Sequence, residues 1–141
     1  MSSRSPRFSR RRSDKDQVAS TKRMPEQPRD LVKRTFDFAV KLRRFVDQLP
    51  KTISTYEDAK QLVRSSGSVA ANYLEAQEGL SRKDFFYRIK VCRKETRETG
   101  LWLRLIVCGA KAELKVEQDK LAAEADELKR IFSTIAGKDD T

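Results

Sequence analysis

Residues 64–106 read RSSGSVAANYLEAQEGLSRKDFFYRIKVCRKETRETGLWLRLI. The first part sets Ser65, Ser66, Gly67, Ser68, Ala70 and Ala71 inside a helical pattern, so a second helix can approach closely there. Gly67 in mid-helix costs about 1 kcal/mol relative to alanine, which makes sense if a neighbouring backbone packs against it. After Gly79, a second helical pattern opens at Ser81 and runs to about Val107. Ser81 reads as its N-cap, Asp84 follows three residues on, and Leu80 is placed to staple onto Phe85 across the first turn.

Stepping about 100° per residue along this helix sorts its side chains into three sectors. Phe85, Ile89, Cys92, Thr96, Thr99 and Leu103 form a core stripe. Arg82, Lys83, Lys90, Arg93, Lys94, Arg97 and Arg104 fall together within about 120°, with Phe86 among them and no acid. Tyr87, Val91, Trp102 and Leu105 make a third sector, readable either as the seat of another subunit, with Trp102 as anchor, or as a widened core face.

Working outward, three more helices complete a bundle. Leu31, Phe38, Leu42, Phe45 and Leu49 share one face of a first helix, with Asp30 as N-cap and Pro50 beyond its end. The second helix begins after Ser54, boxed with Glu57, and stops at a left-handed Gly79. Its inward positions are Ala59, Leu62, Val63, Ser66, Val69, Ala70, Tyr73 and Leu74. The fourth runs from about Glu117 to Ala136 with Leu121, Ala125, Leu128, Phe132 and Ile135 inward, closed by Gly137. Short links make this an all-α, antiparallel up-down four-helix bundle over residues 30–136, with a short tail at 137–141.

The chain has 141 residues, 31 basic and 21 acidic, for a formal charge of +10. Residues 1–29 hold nine of the basic and three of the acidic residues, together with Pro6, Pro25 and Pro28 and almost no apolar periodicity. They read as a disordered basic tail. Two readings stand for it: an arm that wraps an anionic partner, or a leader ahead of a true start at Met24. The intact mass of the natively expressed protein separates them.

Several function classes lose ground on composition. There is no histidine, which removes the usual general base and the commonest metal ligand. Cys92 and Cys108 lack the spacing of a zinc or redox motif and read as small apolar fillers in a reducing cytosol. Glu95 and Glu98, one turn apart, are an ordinary helical pair. Ser65, Ser66 and Ser68 flank Gly67, but that run has no base beside it and no hydrolase elbow around it. No glycine-rich phosphate loop is present, and no run approaches the ~18 apolar residues of a membrane span. Arg10-Arg11-Arg12 is followed by no apolar stretch, so it is not an export signal. The reading is a cytoplasmic, non-enzymatic protein without metal or cofactor.

The strings RTFDFAVKLRRFVDQLP, RSSGSVAANYLEAQEG and SRKDFFYRIKVCRKETRETGLWLRLI together resemble the four-helix bundle proteins related to those encoded within intervening sequences of large-subunit ribosomal RNA genes. A more distant likeness is to the accessory protein of diversity-generating retroelements. Ser68, Ala70, Ala71, Asn72 and Glu75 match the family's small-residue run with its Asn and Glu, and Arg64 matches a further polar position. The resemblance implies a left-handed antiparallel bundle that assembles as a ring-like homo-oligomer, typically a pentamer, with a role in binding nucleic acid. The long basic stretch before Asp30 departs from the family pattern.

From residues and resemblance together the expectation is RNA or DNA binding, without base readout, through Arg82, Lys83, Lys90, Arg93, Lys94, Arg97 and Arg104. Phe86 or Tyr87 would be available to stack a base. Subunits would meet at Tyr87, Val91, Trp102 and Leu105. Two rivals remain. The basic face could be neutralised within the bundle by Glu75, Glu78 or the acid-rich fourth helix, or the oligomer could be an adaptor that recruits a protein partner.

Overall fold

The computed structural model describes residues 28–140. The expected arm and the Met24 start lie outside the described residues, except that Pro28 and Arg29 form the first turn of a helix. Four helices follow in order: α1 Pro28–Val46, α2 Ile53–Gln77, α3 Arg82–Leu105 and α4 Ala112–Gly137, with a short 3-10 turn at Lys138–Asp140. Each helix packs against its chain neighbours, and α4 closes the square on α1.

Cross-helix pairs give the direction. Between α2 and α3, Arg64 meets Glu95, Ser65 meets Thr99, Val69 meets Cys92 and Asn72 meets Arg88. Between α3 and α4, Leu103 meets Gln118 and Gly100 faces Ala125, while Lys90 meets Asp139. Partner numbers fall as α3 numbers rise on the α4 side, and α2 runs against α3 in the same way, as short links require.

The core follows the apolar periods. Leu31, Phe38, Leu42 and Phe45 of α1 are buried with Leu62, Val69 and Tyr73 of α2, Ile89, Cys92 and Leu103 of α3, and Leu121, Leu128 and Phe132 of α4. Thr35 completes the α1 stripe because its hydroxyl donates to the Leu31 carbonyl at 2.8 Å, hiding its polarity inside the helix. The α2–α3 seam is polar at its centre. Ser65 and Thr99 are both fully buried, and their hydroxyls lie 2.7 Å apart.

Several expected ends move. Asp30 sits inside the first turn of α1 and is not its cap; Pro28 can start a helix because its missing N–H would have no helical partner. Thr52, not Ser54, caps α2, accepting from the Thr55 amide. The left-handed stop at Gly79 is absent, since Gly109 is the positive-φ glycine among the described residues. At Gly79 the constraint is space: a Cβ would lie 3.0 Å from the Ala76 carbonyl oxygen. Gly109, at φ 81°, turns the α3–α4 link where a Cβ would also press on Pro50 at 3.1 Å.

α4 starts at Ala112, earlier than Glu117, burying Leu114. Ser81 does cap α3, accepting from Asp84 N–H, but Leu80 is 97% exposed and no staple forms. Leu74, expected inward, is also exposed. Gly67 faces no neighbouring backbone. A Cβ there would meet the Arg43 guanidinium at 3.2 Å, and that group crosses from α1 to donate to the Val63 carbonyl and the Ser66 hydroxyl.

Both cysteines are free thiols. Burial pushes the Cys92 thiol from its ordinary 9.0 up to about 12, with the Arg88 charge pulling weakly the other way. A raised folded-state value means the proton is held more tightly in the fold. The associated stability is whole below pH 9 and is lost as pH climbs toward about 12. A thiol reagent at neutral pH should leave Cys92 unlabelled until denaturant is added; prompt native-state labelling would contradict this burial.

Candidate nucleic-acid interface

Why a cationic row forms on α3 is a matter of register. The core stripe occupies one side, and the seven cations fall on the flank toward α4 and on the adjoining outer surface. Close packing brings α4 near at Gly100, where the hydrogen-sized side chain lies 3.8 Å by its virtual Cβ from the Ala125 methyl. Arg104 folds back over the same glycine, its Nη1 3.3 Å from that virtual Cβ.

The seven do not share one fate. Lys83, Arg97 and Arg104 are exposed and Arg93 is half-buried, and none of these four has an ion pair among the described residues. Arg82 donates from Nη2 to the Lys138 carbonyl at 3.0 Å and lies over the Phe86 ring, 4.8 Å from its centroid. Lys90 pairs with Asp139 at 2.9 Å. Lys94 reaches Glu98 at 3.4 Å and Glu95 at 3.6 Å.

Neutralisation is therefore partial, and it comes from other acids than expected. Glu75 and Glu78 pair with none of the seven; Glu95, Glu98 and Asp139 supply the carboxylates. Glu95 and Glu98 turn out to be structural. Arg64 of α2 donates to Glu95 at 3.2 Å and lies 3.5 Å from Glu98, bracing α2 to α3. Asn72 does the same further along, accepting from Arg88 at 2.9 Å while its amide donates to Ser68. The polar positions Arg64 and Asn72 thus act between helices.

The α3–α4 seam opens into a groove of about 370 Å³ that adds a cation the sequence reading missed. Arg97, Arg104 and Lys94 of α3 line it with Lys129 of α4, against Glu98 and Asp126. Lys129 is half-buried and has no ion pair among the described residues. The only earlier signal was its place one turn after Ala125 on the inner edge of α4. By contrast, the larger groove of about 530 Å³ between α1 and α4 carries four bases and four acids, and Arg34 there grips Glu124 at 2.7 Å. Balanced charge makes it a poor seat for an anion.

Aromatic availability also changes. Phe86 is buried and cannot stack a base, whereas Tyr87 is 59% exposed. On the flank toward α2, Leu105 is likewise exposed, while Val91 and Trp102 are half-buried, and Trp102 packs against the core. The Trp102 indole N–H is buried without an acceptor. Among the described residues no cluster of three histidine, cysteine or acidic side chains could hold a metal, and no helix is long and apolar enough to cross a membrane.

Fold and surface together define an all-helical bundle with a grooved, partly unpaired cationic flank. The chain belongs to the 23S rRNA-intervening sequence protein family, whose model matches residues 28–134. It is similar in fold to a crystal structure from Bacteroides thetaiotaomicron, described as a protein of unknown function from the S23 ribosomal protein family, at TM-score 0.62 and 24% identity. That match covers 74% of this chain and 96% of the other. No curated protein matches it.

Proposed function

We propose that this protein is a non-catalytic, cytoplasmic oligomer that binds RNA or DNA by its phosphate backbone, without base readout. The observation that carries the reading is the row Lys83, Arg93, Arg97 and Arg104, without carboxylate partners among the described residues in a fold that pairs their neighbours. Like charges so close together repel, and an incoming phosphate chain relieves that repulsion while releasing its own counterions. Lys129 extends the row onto α4. The family's name, which ties its members to segments within ribosomal RNA genes, supports the same direction.

Self-association fits beside this surface. Tyr87, Val91, Trp102 and Leu105 lie toward α2, so a second copy seated on them leaves the α4 flank open. A ring of such copies, a pentamer on the resemblance above, would repeat the row and raise its effective concentration for a long polyanion, giving avidity with no sequence contact. Binding to a mixed-sequence RNA should weaken steeply between ~50 and ~200 mM salt. Affinity that stays level across that range would remove the proposal.

A further inference from the structure

Beyond α4 the described residues stay on the bundle. Gly137 ends the helix, and the 3-10 turn Lys138–Asp140 brings Asp139 back onto the first half of α3. There the Asp139 carboxylate holds Lys90 at 2.9 Å, and the Lys138 carbonyl accepts from Arg82 at 3.0 Å. Both acceptors sit at the C-terminal end of α4, where the helix dipole already leans negative. Arg82 and Lys90 of the cationic row are thus held by the C-terminal end of α4, while Lys83, Arg93, Arg97 and Arg104 have no ion pair among the described residues.

We infer that this turn is a built-in competitor for the polyanion, a clasp on Arg82 and Lys90 that holds until a phosphate chain displaces it. The inference rests on the nucleic-acid reading above and adds its regulation. Its chemistry is exchange of one anion for another on the same ammonium group: Lys90 trades a carboxylate for a phosphate. The pair is well placed for exchange because both partners remain partly in water, Lys90 at 45% and Asp139 at 31% side-chain exposure. A pair this exposed holds only weakly, so a ligand can open it, yet it subtracts one cation from the first encounter.

The test uses the full chain and a labelled single-stranded RNA oligonucleotide titrated across salt. Asp139→Asn should bind about two- to five-fold more tightly than wild type. Its log–log salt slope should match that of wild type, because once the clasp is displaced both complexes neutralise the same number of phosphates. The gain must vanish when Lys90→Gln is added, and Asp47→Asn, which removes an exposed acid unpaired among the described residues, must not reproduce it. Salt-sensitive binding by wild type with no gain in Asp139→Asn overturns the clasp and leaves the binding reading standing. An equal gain from Asp47→Asn, or one that persists with Lys90→Gln, overturns it as a bulk charge effect. Absence of salt-sensitive binding in every variant overturns both.

Discussion

Glutamine at Arg93, Arg97 and Arg104 together should lower affinity for RNA by roughly a hundred-fold at ~100 mM salt, with the helical signal unchanged. The size follows from counterion release. Each phosphate neutralised contributes about 0.7 to the salt slope on a single strand, or about 0.9 on a duplex, so three lost contacts take away about two or more units. The structure says why these three and not the others. Among the described residues they have no carboxylate partner to strand, so their removal leaves no buried acid behind there. Glutamine is shorter but stays polar and keeps helix propensity, and the exposed positions Arg97 and Arg104 carry no core packing. Unchanged affinity would place the site elsewhere. Lys94→Gln, by contrast, removes a cation already committed to Glu95 and Glu98 and should cost much less.

Phe132→Ala should be the most damaging single change to the fold. The ring is fully buried in α4 and meets Tyr73 of α2 at a centroid distance of 6.0 Å, linking two helices that are not neighbours in the square. Truncation removes its burial and leaves a cavity the surrounding helices cannot fill, a cost of about 3–5 kcal/mol. Against a total of about 5–15 kcal/mol for a domain of this kind, the urea midpoint should fall sharply while the slope stays the same. A loss below about 1 kcal/mol would mean the centre of the bundle is packed otherwise. Leu80→Ser is the contrast: the side chain is 97% exposed, and the change should stay within about 0.5 kcal/mol.

Periodicity made the bundle legible. Leu31, Phe38, Leu42 and Phe45, or Leu121, Ala125, Leu128 and Phe132, repeat so regularly that any helix built on them must turn the same side inward, and all eight are buried. Helix ends were less legible because a cap is a local competition. Thr52 and Ser54 offer the same chemistry two residues apart, and only the position of Pro50 and the buried Leu49 in the preceding turn favours the first. Leu80 failed as a staple and Leu74 as an inward position because hydrophobicity says nothing about whether a neighbour reaches that far along the helix.

The surroundings of the cationic face were half legible for a related reason. A helical wheel lists what shares a face of one helix, and it groups the seven cations by register alone. It is blind to what other elements bring to that face. Asp139 is far from Lys90 in sequence and beside it in space, and Lys129 belongs to another helix entirely. Phe86 carried a misleading signal: its angle put it among the cations, yet it is buried, with Phe85 at its edge and Arg82 over its ring.

Photo-crosslinking the full chain to a thiouridine-containing RNA, followed by mass mapping of the modified peptides, addresses the central claim most directly. The adducts should fall within Lys83–Arg104 of α3 and around Lys129 of α4. Adducts confined to α1 or to the outer face of α2, with α3 clear, would contradict it.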